Sequence, residues 1–173
     1  MQTTDFVPLN SGNANVRAFD CGKDAINTYL RRFAAKNMAL NLNRTYVLPA
    51  ANNTSAVKPD VAAFYTLAQQ TLLREDLPDP SGLPRYAIPV ILLAQLGVDR
   101  RFAGKGLGSK TLVHALRHAY RIATNPIGLP ATGLVLDAID EEALGFYRQF
   151  DFFLPLTEKP MRLFVPMKSL ESL

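Results

Sequence analysis

The chain has 173 residues, of which 48% are hydrophobic and 20% charged, with one cysteine and a net charge of +4. These values describe a single globular domain over residues 1–173 with enough apolar content for a real core. They exclude an internal disulfide and any multi-cysteine zinc site. The start, MQTTDFVPLN, lacks a basic region followed by a long apolar one, so no secretory signal is read. The longest apolar run, Ile88 to Leu96, falls far short of the roughly 20 residues that span a bilayer. A soluble, cytoplasmic protein is expected.

In chain order, Asp20-Cys-Gly-Lys-Asp24 reads as a turn into a helix, with Asp24 as N-cap. Ile26, Tyr29, Leu30 and Phe33 recur at helical spacing, which predicts a helix to about Leu40. Thr45 to Leu48 reads as a strand and residues 50–56 as a loop. Val61 to Ala68 is the next strand, rich in strand formers. Leu77-Pro-Asp-Pro-Ser-Gly-Leu-Pro84 is a loop by its turn-forming residues. Ile88 to Val98 is nearly all apolar, as expected of a strand buried on both faces, and Gly97 marks a bulge or a close backbone approach.

A glycine-rich loop follows, then a helix from about Leu107 to Ala123. Its apolar face is Leu112, Ala115, Leu116, Ala119 and Ala123, and Lys110, His114, Arg117 and Arg121 form a second stripe. Gly133 to Ala138 reads as a strand and Glu141 to Phe150 as a short helix with acids in its first turn, where the helix dipole favours them. Phe152-Phe153 and Arg162 to Val165 read as closing strands. This order implies a mixed α/β domain with helices on a central sheet.

The loop Arg101-Phe-Ala-Gly-Lys-Gly-Leu-Gly108 joins a strand to a helix start. Glycines there let backbone N–H groups close on an anion at the positive end of the helix dipole. A Walker A loop is excluded, because Gly106 rather than Ser or Thr follows Lys105. A Rossmann site is disfavoured, because no acid lies between Ser109 and Leu136 to bind a ribose. A glycine-rich turn without a ligand stays open on this loop alone.

Two basic clusters fit an anionic partner: six Lys or Arg from Arg100 to Arg121 with no acid among them, and Arg31, Arg32, Lys36 and Arg44. Plain solvated helix faces fit equally well. His114 and His118 have the spacing of a metal pair but no third ligand nearby, so no metal is expected. Cys21 sits in a turn without a paired His, which argues against a nucleophile. Tyr147, taken alone, fits a core position on an amphipathic helix.

The stretch Leu96-Gly-Val-Asp-Arg-Arg-Phe-Ala-Gly-Lys-Gly-Leu-Gly-Ser109 resembles the acetyl-CoA signature of GNAT acetyltransferases. Glu142-Ala-Leu-Gly-Phe-Tyr147-Arg-Gln-Phe-Asp-Phe152 resembles the segment that follows the fifth strand in that family, with Asp151 in place of the usual Gly and Asp140 in place of a frequent Asn. The resemblance implies a GNAT fold, a central twisted mixed sheet of six to seven strands flanked by helices. It implies acetyl-CoA as co-substrate. Leu96 and Val98 would pair with the pantetheine arm, and Arg101, Phe102, Ala103, Gly104, Lys105, Gly106, Leu107 and Gly108 would cradle the pyrophosphate. Tyr147 would protonate the leaving thiolate; its phenol, with a pKa of about 10, is protonated at neutral pH. Strand N–H groups near Val98 would stabilise the oxyanion.

Phe19-Asp-Cys-Gly-Lys-Asp24, Asn43-Arg-Thr-Tyr-Val47, Phe64-Tyr-Thr-Leu67, Leu83-Pro-Arg85-Tyr-Ala-Ile-Pro-Val90 and Pro160-Met-Arg-Leu-Phe-Val-Pro-Met167 extend the likeness to nearly the whole chain. They are similar to the GNAT toxins of bacterial type II toxin–antitoxin pairs. That resemblance implies acetylation of the α-amine of aminoacyl-tRNA, a block of translation, a ribbon-helix-helix antitoxin and a homodimer. Arg31, Arg32, Lys36 and Arg85 would face the tRNA. A GNAT enzyme acting on a small amine or a protein N-terminus, and a non-catalytic CoA- or partner-binding domain, are the alternatives.

Overall fold

The computed structural model describes residues 5–10, 12, 14–50, 58–156 and 158–173. The strands are β1 (Val7–Pro8), β2 (Arg44–Pro49), β3 (Val61–Leu72), β4 (Ile88–Val98), β5 (Gly133–Asp137), β6 (Leu154–Leu156) and β7 (Lys159–Pro166). The α-helices are α1 (Asp24–Thr28), α2 (Ala34–Ala39), α3 (Leu107–Thr124) and α4 (Glu141–Arg148). A π-helical turn, Tyr29–Phe33, joins α1 to α2. The seven strands form one sheet in the order β1-β2-β3-β4-β5-β7-β6. It is mixed: β4 and β5 are parallel, whereas β1–β2, β2–β3, β5–β7 and β6–β7 are antiparallel. This is the expected α/β architecture, with α3 as the crossover that a parallel pair requires. Among the described residues, no helix is long and apolar enough to cross a membrane.

The chain forms two compact units, one of Met1–Ala68 with Gln95–His114 and one of Gln69–Ala94 with Ala115–Leu173. The core of the first gathers Leu9, Ala14, Phe19, Leu30, Ala34, Val47, Val61 and Phe64. Phe19 meets Phe64 edge-on at 5.2 Å between ring centres, the geometry aromatic quadrupoles favour. The core of the second gathers Leu72, Leu77, Ile88, Val90, Val135, Leu156 and Phe164.

The apolar run of β4 behaves as its composition demands. Ile88 and Val90 on one face and Ile91 and Leu93 on the other are all buried. Gly97 is a close approach: a Cβ there would lie 3.0 Å from Ile26, 3.1 Å from Phe64 and 3.2 Å from Phe19. On α3 the expected stripe is buried at Leu112, Ala115, Leu116 and Ala119, whereas Ala123 in the last turn is half-buried. His114 leaves the basic stripe, because its Nδ1 meets the Tyr65 hydroxyl at 3.1 Å and its ring lies 4.7 Å from that of Phe6.

Several expectations are corrected. Lys23, not Asp24, is the N-cap of α1, and Asp24 opens the helix, where its charge favours the dipole. Phe33 is not core: the π-helical turn, in which Ala34 N–H bonds back to Tyr29, rotates it to the surface. β3 runs on to Leu72 through Gln69, Gln70 and Thr71, a polar stretch of alternating burial rather than an apolar run. α4 stops at Arg148, because Phe150 N–H bonds to Tyr147 and tightens the last turn. Phe152 and Phe153 do not form a strand, which starts at Leu154; Phe153 instead packs its ring 5.9 Å from that of Tyr147. The two-residue β1 and the 3-10 turn Met167–Leu170 were too short to leave a periodic signal. The loop expected at 50–56 lies, from residue 51 on, outside the described residues.

Candidate active site

The first unit carries the glycine-rich connection between β4 and α3. Leu96 and Val98 are half-buried residues at the end of strand β4, and Arg101 and Phe102 belong to a 3-10 turn, Arg100–Phe102, directly after Asp99. Ala103, Gly104, Lys105 and Gly106 are exposed, and Leu107 and Gly108 open α3. Gly104 has φ +83° and Gly106 φ +74°, a backbone region that glycine enters without strain. No atom lies within 4 Å of where a Cβ at either position would stand. The loop therefore presents bare backbone to open space, ahead of a helix whose first N–H groups have no intrahelical acceptor. A pyrophosphate fits such a cradle.

Carboxylates hold the loop in shape. Asp99 is 1% exposed and accepts from the Arg101 backbone N–H at 2.9 Å. It also takes Arg101 Nε at 3.0 Å and Nη2 at 3.1 Å, and the Asp20 N–H at 3.1 Å. Burial pushes the Asp99 carboxyl up, but the bonds from Arg101 and from the Asp20 N–H outweigh it and hold the group below its ordinary value. Arg101 Nη1 reaches Asp60 at 2.8 Å, so two acids engage its guanidinium and raise its pKa further. Asp60 in turn accepts from Asn15 Nδ2 at 3.2 Å. Arg101 is thus held to Asp99 and Asp60 as a brace for the loop, and the backbone beyond it faces open space.

A second brace starts from the turn before α1. Asp20 pairs with the Arg100 guanidinium and accepts from Gly22 N–H at 2.9 Å and Asn27 Nδ2 at 3.0 Å. The Arg100 bond, then those from Gly22 and Asn27, lower its pKa to about 2. The Arg100 N–H also donates to the Asp20 carbonyl at 2.9 Å. Asn27, buried inside this turn, accepts from Cys21 N–H at 2.8 Å. The sequence places Asp20 in a turn and Asp99 in the loop motif, but gives neither of them, nor Asn27 or Asp60, a part in bracing the loop. Asp99 alone left a local signal, an acid one residue before a turn start; Asp60 is 41 residues from Arg101 and leaves none.

Arg31, Arg32 and Lys36 are exposed on the helical segment of the same unit. Arg31 is partly committed, since one of its guanidinium nitrogens donates to the Phe19 carbonyl. Among the described residues, no group of three or more His, Cys, Asp or Glu is placed to hold a metal.

The second unit carries Arg85, which is exposed, and Tyr147 on α4. Asp140 caps α4 by accepting from Ala143 N–H at 2.8 Å, which fixes where the helix starts and how Tyr147 is presented two turns later. Tyr147 is 8% exposed, with its ring edge-on to Phe146 at 5.2 Å and to Phe153 at 5.9 Å. Burial pushes its pKa up to about 12. The phenol therefore keeps its proton at every physiological pH. In the same unit β4 pairs with β5 over Ile91, Leu92 and Leu93.

Comparison with known proteins gives these residues a context. No family profile matches the chain. It is 32% identical over 167 residues to a tRNA-acetylating toxin of Mycobacterium tuberculosis, covering 92% of this chain and 90% of the relative. Among solved structures it resembles AtaT complexed with acetyl-methionyl-tRNAfMet, at TM-score 0.83 and 28% identity over 97% of each chain. It also resembles a tyrosine-to-phenylalanine variant of AtaT bound to the C-terminus of the antitoxin AtaR and acetyl-CoA. There the TM-score is 0.78 and the identity 26%, over 97% of this chain and 96% of that one. The likeness runs the length of both partners in each case, and the chain belongs to the family of tRNA-acetylating toxins, with the GNAT fold of that family.

Proposed function

We propose that the chain moves the acetyl group of acetyl-CoA onto the α-amine of aminoacyl-tRNA and so blocks translation, as the toxin of a toxin–antitoxin pair. The observation that carries this reading is the open Gly104–Gly106 cradle at the start of α3, braced from behind by Asp99 and Asp60. Acetyl-CoA is the substrate that brings a pyrophosphate and a thioester together. The backbone from Gly104 to Gly108 holds its phosphates, and the β4 edge at Leu96 and Val98 offers N–H and C=O groups to the extended pantetheine arm.

Chemically, the substrate amine attacks the thioester carbonyl carbon, the new C–N bond forms and the C–S bond breaks. Backbone N–H near Val98 steadies the negative charge that develops on the carbonyl oxygen. Tyr147, whose phenol burial keeps protonated at neutral pH, gives its proton to the departing sulfur. The amine proton passes to solvent, from which the Tyr147 phenolate takes a proton back. The tyrosine substituted in the AtaT variant solved with acetyl-CoA supports a tyrosine in this role.

Residues 1–173 act on this reading as one catalytic domain in the cytoplasm, without a metal. The chain forms a homodimer and is restrained by a ribbon-helix-helix antitoxin. Arg32, Lys36 and Arg85, with the remaining donors of Arg31, meet tRNA phosphates. The experiment is cell-free translation with the purified chain, with and without acetyl-CoA. Inhibition that needs acetyl-CoA is the expected result; equal inhibition in its absence contradicts the reading.

A further inference from the structure

Phe33 ends the π-helical turn Tyr29–Phe33 and is 47% exposed, although Leu30 and Ala34 on either side of it are at most 1% exposed. In an unbroken α-helix, the phase of Ile26 and Leu30 would carry Phe33 towards the core. The wider turn, closed by Ala34 N–H on Tyr29 five residues back, turns it out instead. π-turns of this kind occur frequently at functional sites. From the end of the π-turn to the C-cap of α2, Phe33, Lys36 and Leu40 follow one another at three- and four-residue spacing, which sets them on one exposed face. Arg32 lies one turn before Lys36.

The charge of the surrounding chain names the kind of partner. From Ala25 to Pro59 the sequence has Arg31, Arg32, Lys36, Arg44 and Lys58 and no Asp or Glu. A flat aromatic ring in a field of cations with no acid among them matches a nucleic-acid strand: phosphates for Arg32 and Lys36, a base for the ring. A base presents its flat face to a side chain only where it is unstacked, so the strand is single. Resting on the aminoacyl-tRNA reading above, we propose that Phe33 is a stacking platform for a base in the single-stranded acceptor end of the tRNA, with Arg32 and Lys36 on the adjoining phosphates. A basic face with a stacking aromatic needs no particular base, so this site sets affinity and register for the tRNA end rather than the choice of amino acid.

The test is steady-state acetylation of a mixture of charged tRNAs with radiolabelled acetyl-CoA, using the wild type, Phe33→Leu and Phe33→Tyr. Phe33→Leu keeps an apolar side chain and loses the π-face; it is expected to raise KM for tRNA about ten-fold, with kcat and KM for acetyl-CoA unchanged. Phe33→Tyr keeps the ring and is expected to stay within about two-fold of the wild type. Lys36→Gln is expected to lower the salt dependence of tRNA binding, whereas Phe33→Leu, which removes no charge, leaves the slope as it is. An unchanged tRNA KM in Phe33→Leu, with the wild type active, overturns the stacking platform and leaves acetyl transfer standing. So does a change in the oligomeric mass of Phe33→Leu without a change in tRNA KM, which makes the face a contact between copies. Wild type that acetylates no charged tRNA defeats the underlying reading instead.

Discussion

At the scale of single residues, the acids around the glycine loop decide how its basic residues are used. Arg101 is the signature cation of the loop, yet Asp99 and Asp60 take up its guanidinium from two sides. A brace and a free phosphate ligand respond oppositely to the loss of Asp60. If Arg101 shapes the loop, Asp60→Asn and Arg101→Gln each raise KM for acetyl-CoA, about three- to ten-fold given the partial exposure of the pair. The double variant is then little worse than either single one, because both break one interaction. A free ligand would gain from Asp60→Asn, and the KM would fall. Tyr147 differs: packed against the Phe146 and Phe153 rings, with burial as the cause of its raised pKa, it keeps its proton across the neutral range.

At the scale of elements, the strongest constraints are the points where backbone passes close to side chains. Gly133 opens β5 opposite Pro166 of β7, and a Cβ there would stand 2.4 Å from the Phe164 ring and 2.5 Å from the Val165 carbonyl oxygen. Gly133→Ala is expected to destabilise the fold by about 1–3 kcal/mol, the usual cost of overpacking, read as a lower midpoint in urea with an unchanged slope. A midpoint equal to that of the wild type would mean that β5 and β7 can part at no cost. Elements of this strength were legible beforehand. Ile88–Val98 was bounded to the residue, because an unbroken apolar run between a proline-rich loop and an Asp-Arg-Arg turn has few other solutions. The buried stripe of α3 followed its period equally well. The failures have a common cause, an interaction between residues distant in sequence or a departure from the regular period. The π-turn shifted the helical phase and exposed Phe33; the polar end of β3 lacked an apolar pattern; the Asp60–Arg101 pair left no local trace. The glycine loop and Tyr147 can be nominated from sequence because each lies in a compact local motif, whereas the acids that brace the loop are drawn from distant positions.

At the scale of the whole molecule, folding and the active loop share the same ion pairs, which gives stability an acid limit. Asp20 has its pKa lowered to about 2 from 3.8, and Asp99 is lowered as well. A carboxyl depressed in the fold contributes stability that is fully present above its unfolded pKa and is lost as the pH falls through the folded value. For Asp20 that window runs from 3.8 down to about 2. Thermal midpoints are expected to fall across this window, and Asp20→Asn to fall less steeply over it, since the variant has no such proton to take up. Identical slopes would remove Asp20 from the acid transition. Family membership, the mixed sheet and the open cradle converge on one reaction, whose product is an amide at the amino end of the amino acid carried by tRNA. Its most direct test is to incubate the chain with charged tRNA and labelled acetyl-CoA, then locate the label after the ester is hydrolysed. The expected result is N-acetylated amino acid from the wild type and at least about a hundred-fold slower formation by Tyr147→Phe. Label that never reaches an amino acid's α-amine, or a Tyr147→Phe variant as fast as the wild type, would contradict it.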